Sequence, residues 1–294
     1  MFIRRLIGLS FIGILLFTTL GFSSTGISRA QDERGMERYA AQFTGEVGAA
    51  MVKIAQRGRT NGLHLNVFST AGDCHVADNW FIQFYKDGRS YNLGNYHWLQ
   101  TVLDYYTEGS FLNRSWAHEG GFTSAAILDP TWADPKACVA DESPILCEIR
   151  VHRPAVIIIE VGVIDLAIGT PPERFESSLN RIIDAALDAG VIPMLATMPQ
   201  RPRYFRQAIA LNDTVRSVAA GRTLPLIDLA AAIDALPNHG VATDNLHLSP
   251  GNAFISADFR YMEDGFTIWN FLVLQSLYNT IPILNWSQAE SVQN

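Results

Sequence analysis

The chain has 294 residues, nearly half of them hydrophobic (48%), and a formal net charge of −7. That apolar content is enough for a sizeable core, and an acidic balance without a basic stripe excludes nucleic acid as the main partner.

Arg4 and Arg5 precede an apolar stretch from Leu6 to Phe22, and Ser28-Arg29-Ala30 sets small residues at cleavage-site spacing. This is the pattern of an export signal over 1–30, with a mature chain that starts near Gln31 and functions outside the cell or at its surface. The alternative is an uncleaved anchor, since the run is nearly long enough to span a bilayer. No cysteine follows the run to carry a lipid. The remaining roughly 260 residues suit one large domain. A polar, partly helical lead occupies 31–61 and the domain itself 62–290.

In the lead, Tyr39, Phe43, Val47, Met51 and Ile54 recur at helical spacing and predict a helix within 37–56. Gly62 ends it, and residues 63–70 read as the first buried strand. Residues 95–106 read as a helix and 110–117 as a short strand, with Gly120-Gly121 and a helical start at Thr123 after it. Residues 129–154 look like a long loop. The clearest strand is 154–161, where Ala155-Val156-Ile157-Ile158-Ile159 is a continuous run suited to burial on both faces of a parallel sheet. Residues 172–189 are amphipathic, with Pro171 and Pro172 at the first turn and Gly190 as the C-cap. A strand over 191–198, a helix over 203–220 and a strand over 224–229 follow. A packed terminal helix covers 266–283, where Asn270, Gln275, Ser276 and Asn279 interrupt the apolar run. The alternation predicts an α/β fold, a three-layer doubly wound sandwich with a mostly parallel central sheet. Ligands in such folds bind beyond the carboxyl ends of the strands, where Cys74, Gly162 and Asp165 fall.

Three cysteines is an odd count for an exported chain. Cys138 and Cys147 are spaced for a disulfide in an oxidising compartment. Cys74 is then left alone, either as a buried structural thiol or as a reactive one. His64, His75, His97, His118, His152 and His239 show no metal-ligand spacing, so no metal or other cofactor is assigned. The first half is rich in Trp and Tyr, including Trp80, Trp98, Trp116 and Trp132. They serve either core packing or an aromatic wall for a sugar or acyl chain.

The motifs in order are Gly72-Asp73-Cys74, Gly120-Gly121, Gly162-Val163-Ile164-Asp165 and Asp244-Asn245-Leu246-His247. This set resembles the SGNH hydrolases, also called GDSL-type esterases and lipases, over most of the chain from about Leu63 to Leu277. The resemblance implies a flavodoxin-like SGNH fold. It places the nucleophile at Cys74 in place of serine, the general base at His247 and its orienting carboxylate at Asp244. It also places the oxyanion hole at the backbone of Cys74 and of Gly120 or Gly121. Asp73, Gly162, Ile164 and Asp165 fall at the substrate-binding face, with Ile164 where the family has an oxyanion asparagine. A thiol keeps a nucleophile at position 74, and its pKa falls at a helix N-terminus or beside an imidazolium. Isoleucine at 164 removes a donor whose loss typically costs about 10²–10³ in kcat. Each residue also has a plainer reading. Asp73 can hold its loop by hydrogen bonds, Asp165 can cap a helix, and Gly72 and Gly162 can serve tight turns.

Two functions follow as expectations. One is an exported ester hydrolase or acyl-transfer enzyme acting through Cys74, His247 and Asp244 on a small-molecule or carbohydrate acyl ester. The other is a catalytically degenerate protein of the same fold that binds a glycan or lipid without turnover.

Overall fold

The computed structural model describes residues 35–86, 88–112, 115–250 and 257–291, with side chains to 286. The expected export signal lies outside them. The described residues from Met36 onward form one compact unit. Its centre is a four-stranded parallel sheet in the order β1 (His64–Gly72), β2 (Pro154–Glu160), β3 (Ile192–Ala196) and β4 (Leu226–Ile227). Every residue of β2 is buried, as expected for a strand covered on both faces.

Among the described residues, ten α-helices flank the sheet. The first, α1 (Gly45–Thr60), precedes β1 and packs on β1, β2 and β3 and on the terminal helix. After β1 come the four-residue α2 (Cys74–Ala77), then α3 (Gln100–Tyr105), α4 (Glu108–Leu112) and α5 (Pro144–His152). Between β2 and β3 run α6 (Val163–Ile168) and α7 (Pro172–Ala189), and between β3 and β4 runs α8 (Phe205–Gly221). The chain ends in α9 (Leu229–Ile233) and α10 (Gly265–Ser291). No helix among the described residues is long and apolar enough to cross a membrane.

The α7 helix forms where the sequence predicts it. Phe175, Leu179, Ile182, Ile183 and Ala186 are buried, Pro172 opens the first turn, and Gly190 closes the helix at φ 85°. Two segments differ from expectation. The described residues of 110–117 form no strand: Glu108–Leu112 is helical, because Phe111 turns inward to meet Phe68 edge-on at 5.1 Å. What remains of strand character is one parallel bridge from His118 to Gly72. That bridge lies beside β1 on the side away from β2, so the winding reverses at β1 and the sheet is doubly wound. The stretch read as a loop over 129–154 contains α5, opened by Pro144 at its first turn.

Cys138 and Cys147 form a disulfide with Cα atoms 5.2 Å apart. It ties the loop ahead of α5 to the helix itself. Replacing both cysteines with serine is expected to cost about 2–3 kcal/mol, from the entropy of a loop of this length. The midpoint should fall by about 5–10 °C. Thermal melts of the variant and of the wild type, with and without reductant, check this; equal midpoints would show that α5 alone fixes the loop.

Candidate active site

The site lies at the carboxyl end of the strands, where β1 and β2 finish side by side. Gly72 is required by close approach: a Cβ there would sit 1.8 Å from the Glu160 carbonyl oxygen. The chain then turns into α2, and the Asp73 side chain reaches across to the β2 turn. Its Oδ2 accepts the backbone N–H groups of Gly162 (3.1 Å) and Val163 (2.9 Å). Gly162 adopts φ +127°, and a Cβ would meet Met198 Cε at 2.3 Å, so this turn also needs glycine.

Asp73 is fully buried, and its carboxylate is spent on backbone amides and on the Cys74 thiol. Asp165 is buried as well and accepts Ser124 N–H (2.8 Å) and Ser124 O–H (2.9 Å), which fixes the segment after Gly120-Gly121. Ile164 is half-buried in the first turn of α6 and offers no polar donor. Gly120 and Gly121 are exposed, with nothing within 4 Å of a built Cβ. Gly121 lines a cleft of about 630 Å³ that also borders Ala77, at the end of α2.

Cys74 is buried and unpaired. Its thiol donates to Asp73 Oδ1 at 3.8 Å. Burial, followed by the charges of Asp73 and Glu160, pushes the thiol far above its ordinary pKa. The sequence suggests a lowered value from a helix N-terminus. A four-residue helix supplies little dipole, and two carboxylates outweigh it.

Behind the thiol is a buried cluster of Asp73, His75 and Glu160. His75 Nδ1 faces Glu160 Oε1 at 3.1 Å, and Nε2 faces the Leu246 carbonyl at 3.2 Å. Both neighbours are acceptors, so the imidazolium satisfies them with its two N–H groups. Burial pulls the His75 pKa down, but Glu160 and Asp73 outweigh it and the net shift is upward. Glu160 Oε2 is buried with no hydrogen-bond partner among the described residues. Burial, then the Glu160 charge, raises the Asp73 pKa to about 8. These three residues offer ligand-type atoms within 4.8 Å of one another. They are the described residues best placed to hold a cation, although Asp73 is already engaged by two amides and a thiol.

Asp244 and His247 sit on a loop closed by the Val241–Leu248 bridge. Asn245 turns the chain at φ 57°, and Asp244 Oδ1 accepts the N–H groups of Leu246 (2.9 Å) and His247 (3.1 Å). The second oxygen, Oδ2, lies 2.7 Å from His247 Nδ1. Partial burial works upward on the Asp244 pKa, but the hydrogen bonds from His247 and the backbone hold it below its usual value. His247 keeps 37% of its side chain exposed. No hydrogen bond joins His247 to Cys74 among the described residues, because the thiol is turned to Asp73.

Three residues that sequence reasoning passed over tie these parts together. Glu160 and His75 link the end of β2 to the base loop through Leu246. Buried Arg201 bridges Val163 O (Nη1, 3.0 Å) and Asn245 O (Nε, 2.6 Å), so it joins the α6 turn to the Asp244–His247 loop. One signal was available for Glu160: a charged residue ending a strand buried on both faces needs a partner.

The sequence model of the GDSL-like lipase/acylhydrolase family matches residues 83–251, more than half of the chain. That span holds Gly120, Gly121, Gly162–Asp165, Asp244 and His247 and begins beyond Cys74. A search of curated proteins returned no match. Among solved structures, the chain is similar to a protein assigned to the lipolytic G-D-S-L family from Desulfitobacterium hafniense DCB-2. The identity is 12%, with a TM-score of 0.46 over 72% of this chain and 99% of that one. It is also similar to a GDSL-like lipase from Bacteroides thetaiotaomicron VPI-5482, at 13% identity and a TM-score of 0.44 over 77% and 98% of the two chains. A third is the psychrotrophic esterase EstA from Pseudoalteromonas sp., at 15% identity and a TM-score of 0.38 over 78% and 100%.

Proposed function

Since the chain belongs to the GDSL-like lipase/acylhydrolase family, we propose that it is an exported ester hydrolase or acyl-transfer enzyme that uses Cys74, His247 and Asp244. The observation that carries this reading is the 2.7 Å Asp244–His247 pair. Its loop is anchored by His75 and Arg201 to the two turns that carry Cys74 and Ile164.

In this reading Cys74 Sγ attacks the acyl carbonyl as its proton passes to His247 Nε2. The C–O bond to the alcohol breaks, and the leaving oxygen takes that proton. Water, or another acceptor hydroxyl, then cleaves the thioester with His247 again acting as base. The raised thiol pKa means that the proton leaves during attack and that no standing thiolate forms. The backbone N–H groups of Cys74 and of Gly120 or Gly121 hold the oxyanion. Asp73 and Asp165 fix the loops around it. The Cys138–Cys147 disulfide supports an oxidising destination for the chain.

A second reading has its own support. A neutral buried thiol held by Asp73, with an apolar side chain at position 164, suits a protein that binds a glycan or lipid and turns nothing over.

Hydrolysis of p-nitrophenyl acetate and butyrate by wild type and Cys74→Ala separates the two. Turnover present in wild type and lost in Cys74→Ala supports the thiol enzyme. Equal turnover in both sinks the thiol mechanism. No turnover in wild type, with activity appearing in Cys74→Ser/Ile164→Asn, supports the binding reading.

A further inference from the structure

The cleft of about 630 Å³ beside Gly121 falls within the range of small-molecule sites, roughly 300–1,000 Å³. Its wall combines two kinds of group. Trp132 stands 54% exposed and is braced edge-on by Phe122 at 6.0 Å. It is held in place because Asp129 Oδ1 caps its short turn, accepting Thr131 N–H (2.9 Å) and O–H (2.8 Å). Elsewhere on the wall of the same cleft, Asn79, Gln83, Glu119 and Asp134 supply amides and carboxylates.

We propose that this cleft binds a neutral oligosaccharide, with the Trp132 indole as the stacking platform. A sugar ring has apolar C–H faces and a rim of hydroxyls, which fits an aromatic face surrounded by acceptors and donors. A lipid chain fits poorly, since it would desolvate two carboxylates and two amides without pairing them. The described residues lining the cleft include two carboxylates and no Lys or Arg, so the electrostatics disfavour anionic sugars. Ala77 puts one wall on the helix that starts at Cys74, and Gly121 puts another at an oxyanion donor position. Resting on the acylhydrolase reading, the cleft then holds the sugar that bears the ester. Binding itself does not depend on turnover.

Titration calorimetry with cellotetraose, xylotetraose, chitotetraose and tetragalacturonate tests this. It is run on Cys74→Ala protein so that chemistry plays no part. At least one neutral tetrasaccharide is expected to saturate, and tetragalacturonate is not. Adding Trp132→Ala should weaken the neutral ligand roughly tenfold or more, while Trp132→Phe keeps most of the affinity. The proposal is overturned by no saturation with any neutral tetrasaccharide, by equal binding of tetragalacturonate, or by affinity that survives Trp132→Ala. Saturation by decanoate in place of the sugars would also overturn it and assign an acyl chain. Failure of p-nitrophenyl ester turnover alongside sugar binding would remove the enzyme reading and leave this one standing.

Discussion

Replacing His247 with alanine is expected to lower kcat for short-chain esters by about 10⁴-fold with little change in KM. In the proposed mechanism the imidazole takes the Cys74 proton, and Asp244 sets its orientation. Asp244 Oδ2 holds Nδ1 at 2.7 Å, so that nitrogen carries the hydrogen and Nε2 is left as the acceptor. Asp244 is itself held by two backbone amides of its own loop, so the pair is formed before substrate arrives. Asp244→Asn should cost a comparable factor, because the amide turned to the ring as a donor selects the wrong tautomer. The neutral state of the thiol raises the dependence on this base. A pre-formed thiolate would need no proton acceptor for attack, whereas burial and the nearby Glu160 keep Cys74 from ionising alone. His247 is partly exposed, so the variant should melt with the wild type. Steady-state kinetics with p-nitrophenyl butyrate check the factor. A His247→Ala rate within about tenfold of wild type would move the base to another residue.

Asp73→Asn is expected to make the protein more heat-stable at alkaline pH. The folded protein holds the Asp73 proton up to about pH 8, against an ordinary value of 3.8, because burial and the nearby Glu160 oppose ionisation. Between those limits the native state binds more protons than the unfolded chain, so stability falls as pH rises through the window. Asparagine is isosteric, keeps an oxygen for the Gly162 and Val163 amides, and presents its amide nitrogen to Cys74. It removes the titration and the buried charge together. Thermal melts from about pH 4 to about pH 9 should show the wild-type midpoint falling relative to the variant, with the variant several degrees ahead at the top. Parallel curves would show that Asp73 stays ionised throughout and that His75 neutralises it.

The parts of the fold set by local pattern were legible in the sequence. The Ala155–Ile159 run announced β2, and α7 was bounded by Pro172 and Gly190 as its apolar spacing required. The Asp-x-x-His spacing likewise foretold a pair that contacts across one short loop. What escaped was set by partners far along the chain. Glu160 meets His75 across 85 positions, and His75 meets Leu246 across 171. Neither pairing leaves a local periodicity. Residues 110–117 looked extended, but Phe111 turns inward to pack edge-on against Phe68, and both rings are fully buried. The thiol's environment was hidden for the same reason: its neighbour Asp73 was visible, and the Glu160 charge behind it was not.

The terminal helix carries a consequence for the order of events in the cell. Asn270 in α10 accepts from Ile82 N–H and donates to the Trp80 carbonyl, both at 2.8 Å. Ser276 Oγ accepts Ala41 N–H at 2.8 Å, and Asn279 donates to the Ala41 carbonyl at 2.9 Å. Segments translated first are thus fastened by the segment translated last among those described, and α10 packs on α1. Until Gly265–Ser291 leaves the ribosome, α1 lacks this cover and the turn at Ile82 lacks its clamp. Such long-range closure slows folding. In the proposed export of the chain, that delay keeps the polypeptide threadable until translocation, and the Cys138–Cys147 bond forms afterwards.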